Sequence, residues 1–197
     1  MKFLLKGILI LSMFSFGSAN AITIHKQEFP DIHEATLLSP KLHLRGGSVR
    51  KVYGFVNTYV GLLYVEDETL APEEILSANV ARRMEFHLLS NRVTSRRFMK
   101  VIDEGLSINT TPEQMAVMEP RVKELFDLFD YRFVKGTVGF IEWVPAEQVS
   151  RVVINGEVRG TVAGKDLSDA LLSIWIGEHP VSVRFKEEVL GLEASED

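Results

Sequence analysis

Two apolar periods alternate along the chain. Leu42 and Leu44, then residues 49–56 and 59–65, are rich in β-branched and aromatic side chains, broken at Gly46-Gly47 and more weakly at Asn57-Thr58. Such runs predict adjacent antiparallel strands. Met84, Phe86 and Leu88 alternate with Glu85 and His87, the period of two that a half-buried strand requires. The spacing then changes, with Phe98, Val101, Ile102 and Leu106 recurring at three and four, which predicts an amphipathic helix from near Val93 to around Gly105. Thr111 as cap, Pro112 at the first helical position and Gln114 at the third form a capping box. Pro120 then predicts a kink or a short second helix, with Val122, Leu125, Phe126 and Phe129 on its inner face. Strands resume over 137–143 and 150–154, the latter turning at Asn155-Gly156 into 157–160. A helical face of Leu167, Ala170, Leu171, Ile174 and Trp175 follows, with Asp166 as its cap and Gly177 as its stop, and a last helix over 181–190 ends at Gly191. Strands, helices, strands, helices is an α+β order.

The chain has 197 residues, 46% of them hydrophobic and none of them cysteine. That suffices for one domain with a sizeable core, and it excludes a disulfide scaffold, a thiol nucleophile, a zinc–thiolate site and an iron–sulfur cluster. Lys2 and Lys6 precede an apolar run from Ile8 to Phe16, and Gly17-Ser18-Ala19-Asn20-Ala21 offers small residues where a signal peptidase reads them. This predicts an export leader over 1–21 cut after Ala21, a periplasmic or secreted protein, a domain over 22–192 and an acidic tail over 193–197. The run is shorter than the ~20 residues that span a bilayer, and no later run is long enough, so no transmembrane span is expected in the mature chain.

The formal charge is −5, and removal of the leader would leave 20 basic residues against 27 acidic ones, or −7. Phosphate contacts need a basic surface, so nucleic acid is excluded as a partner. The adjacent pairs Arg82-Arg83 and Arg96-Arg97 read as solvated surface charge, with a local anion-binding role as the alternative. There is no nucleophile elbow, phosphate loop, dinucleotide fingerprint or paired-histidine motif, and His25, His33, His43, His87 and His179 lack metal-ligand spacing. No cofactor or metal is expected. Asn109-Thr110-Thr111 is formally a glycosylation sequon, but the helix cap already accounts for it. Arg50 stands out, because it lies between Val49 and Val52 in an otherwise apolar strand. A buried arginine needs an anionic or carbonyl partner and can grip a carboxylate with two parallel hydrogen bonds. An internal acid, an edge position or a ligand could each satisfy it. Tyr53, Tyr59 and Tyr64 read as core or sheet-face aromatics.

Residues 44–50 (Leu-Arg-Gly-Gly-Ser-Val-Arg), 59–67 (Tyr-Val-Gly-Leu-Leu-Tyr-Val-Glu-Asp) and 170–181, with Trp175-Ile176-Gly177 closing the helix, occur in an order that resembles the chalcone isomerase fold family. Within it the chain is most similar to the exported bacterial chalcone isomerase-like branch, over about residues 35–191. The resemblance implies an open-faced β-sandwich: an antiparallel sheet with helices layered on one face and a ligand cleft between them. The plant enzymes of this fold cyclise a chalcone to a flavanone, and Arg50 matches the strand arginine that polarises the reacting system. Tyr59 falls at the family's carbonyl-network threonine, with Thr58 as the alternative register.

The departures point away from catalysis. Phe98 stands where the enzymes carry a tyrosine, Val101 where they carry a lysine and Gly105 where they carry an asparagine, while Ile174 and Trp175 replace a threonine–methionine pair. Loss of such donors removes about 3 kcal/mol each of oxyanion stabilisation in comparable sites. Non-enzymatic relatives hold a fatty-acid carboxylate with the same arginine and a tyrosine, and Arg50 with Tyr59 resembles that pair. The resemblance therefore implies a non-catalytic protein binding a small amphipathic carboxylate, its tail in an apolar cleft lined by Phe98, Val101 and Ile174. Two alternatives remain: an isomerase or lyase using Arg50 with Tyr59 or His87, and a structural or partner-binding envelope protein in which the cleft is closed.

Overall fold

The structure, a computed structural model, describes residues 21–194. Residues 1–20 of the expected leader and 195–197 of the acidic tail lie outside the described residues. At the N-terminal end β1 (Ala21–Ile24) pairs with β2 (Gln27–Pro30) in a hairpin whose turn residues His25 and Lys26 have φ of 50° and 64°, the left-handed values a two-residue hairpin turn requires. Seven further strands form one antiparallel sheet in which every neighbour in space is a neighbour in sequence: β3 (Ile32–His33), β4 (Leu42–Val52), β5 (Val56–Val65), β6 (Arg82–Leu88), β7 (Val138–Val144), β8 (Val149–Ile154) and β9 (Glu157–Ala163). Between β6 and β7 come α1 (Ser95–Asn109) and α2 (Pro112–Leu128), and after β9 come α3 (Lys165–Ile176) and α4 (Val183–Val189).

All four helices contribute buried side chains to the core on one face of the sheet. Tyr59 and Leu63 of β5, Met84, Phe86 and Leu88 of β6, and Val152 and Ile154 of β8 meet Phe98 and Ile102 of α1, Leu125 of α2, Ile174 and Trp175 of α3 and Phe185 of α4. The opposite face carries a smaller apolar cluster of Val60, Leu62 and Tyr64 from β5 with Leu42, under Phe29 of β2. The α+β expectation and the helices layered on one face are what the structure shows.

Where the sequence misled, close packing is the reason. Gly46-Gly47 is no break: both residues lie inside the 11-residue β4. A side chain at Gly46 would run into the Glu188 carbonyl of α4, and a Cβ at Gly47 would come within 2.5 Å of Ile24 and Leu62. The glycines admit other elements against the strand instead of turning it. The turn falls at Tyr53-Gly54-Phe55, so Tyr53 is neither core nor sheet face. Gly105 does not stop α1, which runs on to Asn109, because Ile174 packs where its Cβ would be, 2.7 Å away. The capping box at Thr111 and Gln114 is present, but α2 continues through Pro120 without a break. α3 is capped by Gly164, leaving Asp166 in its first turn, where Arg121 binds it through two 2.7 Å hydrogen bonds.

Candidate functional site

Arg50 of β4 lies directly across from Tyr59 of β5, and the pairing resumes at Lys51 and Asn57, which makes Thr58 the extra residue of a β-bulge. The Thr58 hydroxyl donates to the Arg50 carbonyl at 2.7 Å. Tyr59 instead enters the helix-side core, where it is 6% exposed. Its ring meets Phe86, Phe98 and Phe185 edge to face, at centroid distances of 5.5, 6.4 and 5.9 Å. Its hydroxyl oxygen accepts a 3.0 Å hydrogen bond from the Trp175 indole N–H. Burial pushes the phenol up to about 12, with the Trp175 hydrogen bond and the Arg50 charge pulling the other way. At neutral pH the hydroxyl keeps its proton, and among the described residues nothing accepts it.

Arg50 is half-buried, donates to the adjacent Lys51 carbonyl and has no carboxylate partner among the described residues. The internal-acid explanation for this arginine is therefore not what the fold builds. A cation and a proton-bearing phenol on paired strands can together hold a carboxylate, by charge and by a donated hydrogen bond.

Among the other residues singled out from the sequence, Phe98 and Ile174 are buried core, at 5% and 0% exposure, while Val101 is 41% exposed. Val101 thus lines no cleft. It follows Lys100 on the side of α1 turned from the sheet, one position short of the buried Ile102. His87 alternates with Phe86 on β6 and so lies on the sheet face away from Tyr59, bonded to Glu85 at 2.7 Å. The expected open cleft is filled by rings. The enclosed spaces between sheet and helices measure about 20 Å³, beside Trp143 and Trp175, and about 10 Å³, beside Phe86, Phe98 and Phe133. Each is about one water in size.

Two features escaped the sequence reading. Trp175, seen only as a replacement, supplies the hydrogen bond that fixes the Tyr59 phenol; its place next to Ile174 on the inner face of α3 was the available signal. Phe185 stands between Tyr59 and a surface groove of about 600 Å³ bordered by the β4–β5 hairpin, the β1–β2 turn and α4. A side chain at Gly61 would meet the Phe185 ring at 2.4 Å from its tip carbon, so the glycine is what lets Phe185 reach Tyr59.

The arginine pair at 82 and 83 was expected on the surface, yet both are buried, at 2% and 8% exposure. Arg82 faces the helices and binds Asp169 of α3 at 2.6 Å. Arg83 faces the other way, into a row with Glu142 and Arg151 directly across on β7 and β8. It binds Glu142 at 2.5 Å, and Arg151 approaches the other Glu142 oxygen at 3.7 Å. Beside this row His87 and His33 sit 2.7 and 3.4 Å from Glu85. Burial pushes the Glu85 carboxyl up, but the hydrogen bonds and charges of the two histidines bring it down to about 2. Among the described residues no group of three or more His, Asp or Glu side chains is arranged to hold a metal, and no helix is long and apolar enough to cross a membrane.

An antiparallel meander with its helices on one face matches the chalcone isomerase-like architecture. The chain belongs to the chalcone isomerase-like family, whose model matches residues 21–191. It is similar in fold to the crystal structure of a fatty-acid binding protein from Arabidopsis thaliana, with a TM-score of 0.67, 15% identity, and coverage of 87% of this chain and 96% of that one. No curated protein sequence matches it.

Proposed function

We propose that the protein is a non-catalytic carrier of a small amphipathic carboxylate such as a fatty acid, with the head group held by Arg50 and Tyr59. The observation that carries this reading is the Tyr59 hydroxyl. It is buried, protonated and fixed by Trp175, its own proton has no acceptor, and a cation without a carboxylate partner lies across the strand pair. A buried donor left unmatched costs about 1–3 kcal/mol, and a ligand carboxylate relieves that cost. The fold it shares with a plant fatty-acid binding protein is consistent with this use. The spaces beside Trp175 and Phe98 are water-sized, so entry of an acyl tail next to Tyr59 requires Phe185 and the seven-residue α4 to yield. The export reading belongs to the same proposal: Lys2, Lys6, the apolar run and Ala19-Asn20-Ala21 support a periplasmic or secreted carrier of the exported bacterial branch.

Calorimetry with laurate and palmitate tests it. Wild type should bind, Arg50→Ala should bind about tenfold to a hundredfold more weakly, and Tyr59→Phe should lose about tenfold. No heat with either acid, together with native mass spectra of gently purified protein that show no bound mass, would overturn the reading. The filled interior favours a second reading, a structural or partner-binding protein, which the stability of Arg50→Ala separates from the first. An isomerase or lyase needs a general acid–base group near the substrate, and the rings around Tyr59 supply none; turnover of an enone library lost in Arg50→Ala would restore that alternative.

A further inference from the structure

The tip of the β4–β5 hairpin is built unlike the rest of the surface. Val52 pairs with Val56, so Tyr53, Gly54 and Phe55 form a three-residue loop in which the two rings stand 84% and 80% exposed. Burying them elsewhere in the fold would gain on the order of 2 kcal/mol each, yet the hairpin projects both into solvent. Basic charge adjoins it: Arg50 and Lys51 lie at the tip end of β4, in a stretch between Glu34 and Glu66 that has no acidic residue, in a protein of formal charge −5. Lys41 and Arg45 lie toward the far end of the strand. Lys51 also lines the 600 Å³ groove that opens beside the tip, with His25 and the Arg184–Glu188 ion pair on its other walls.

We propose that this end of the molecule docks on a bilayer bearing anionic phospholipids. Tyr53 and Phe55 enter the boundary between head groups and acyl chains, and Lys51 meets the phosphates, with Arg50 adding to the field. Aromatic rings favour that boundary. A nearby lysine or arginine adds about fivefold to affinity for an anionic surface. The acidic remainder of the chain is repelled from such a surface, so the basic tip sets the orientation of approach. A protein partner fits less well, because a stable interface buries ~800 Å² on each side, and a protruding three-residue loop offers only two rings. The docking stands on the exposed tip alone. If the carrier reading also holds, the groove and Phe185 lie between the membrane and Tyr59.

Flotation of the purified protein with phosphatidylcholine vesicles, with and without phosphatidylglycerol, tests the proposal. Wild type should float with the anionic vesicles, and less so as salt rises. Lys51→Ala should weaken this about fivefold, and the double variant Tyr53→Ser, Phe55→Ser about tenfold or more, with its urea transition unchanged because neither ring is packed. As a second measurement, Phe55→Trp should shift its added indole emission to the blue on anionic vesicles only. The double variant should still bind soluble laurate as wild type does, which keeps failure of docking distinct from failure of the carrier reading. Equal flotation of wild type and the double variant, or no binding to anionic vesicles and no Phe55→Trp shift, would overturn the proposal. So would photo-crosslinking from position 55 that captures a protein in place of lipid.

Discussion

The two faces of the sheet are closed by opposite chemistry. On the helix side, alternate residues of β5, β6 and β8 bury aliphatic and aromatic side chains. Around Tyr59 the polar groups that enter, its hydroxyl and the Trp175 indole, bond to each other, and the buried Arg82 at the far end of β6 is held by Asp169. On the other side, β6, β7 and β8 contribute Arg83, Glu142 and Arg151 to one transverse row, with Glu85 and two histidines alongside. Apolar burial is non-directional and tolerates small adjustments, whereas a buried charge is tolerable only against its partner. The helix side can therefore loosen around Tyr59 to admit a guest without stranding a charge, since its buried arginine, Arg82, sits at the opposite end of β6 from Leu88, the residue paired with Tyr59. The charged face fixes the strand register, because a one-residue slip of β7 would carry Glu142 under the helices and take from Arg83 and Arg151 the carboxylate they share.

The sharpest way to break this contrast is Glu142→Ala. It leaves Arg83 and Arg151 buried and facing one another, and should cost about 3–5 kcal/mol in urea unfolding at pH 7. Replacing all three residues of the row with Met or Leu should restore most of that loss. Acid comes next. The Glu85 carboxyl at about 2 in the folded protein lies below its ordinary 4.5, so its contribution is complete above pH 4.5 and is lost as pH falls toward 2, a change on the order of 2–3 kcal/mol. Urea transitions at pH 5 and pH 2.5 should show it, and Glu85→Gln should narrow the gap. On the helix side the effects are smaller. Tyr59→Phe leaves the Trp175 N–H buried without its acceptor and should cost about 1–2 kcal/mol. Arg50→Ala should change the unfolding free energy by less than about 1 kcal/mol in ligand-free protein, because no buried acid depends on it. A loss above about 3 kcal/mol with unchanged cooperativity would assign Arg50 a structural role and sink the carrier reading.

The same contrast explains what could be read from the chain. Periodicity reports which positions are buried on the helix side, so Met84, Phe86, Leu88, Phe98, Ile102 and Ile174 were legible, as was the capping box at Thr111. It cannot report a polar face covered by another segment. Arg83 and Glu85 look solvated in sequence and are buried by residues 29–40, whose Ser39 hydroxyl and Leu38 carbonyl reach the arginines. Glycines misled for a related reason. Gly46, Gly47 and Gly105 resemble breakers, and their meaning lies in partners distant in sequence, Glu188, Ile24 and Ile174. Within the proposed site, Arg50 and Tyr59 were singled out through family resemblance, which cannot show that they pair across β4 and β5, and Val101 lies on the exposed side of α1, one position from the buried Ile102.

The meander has a seam. The connections within β7 to β9 have four and two residues, that between β4 and β5 has three and that between β5 and β6 has 16, but β6 and β7 are joined only across residues 89–137, which hold two helices. Closing so long a loop delays the pairing that depends on it, so each half can zip up locally before the halves meet. The Arg83–Glu142 contact lies on that seam. Its two charges stay hydrated while the halves are apart and lose their water only when the sheet becomes continuous, so this ion pair closes with the joining of the halves and not before it.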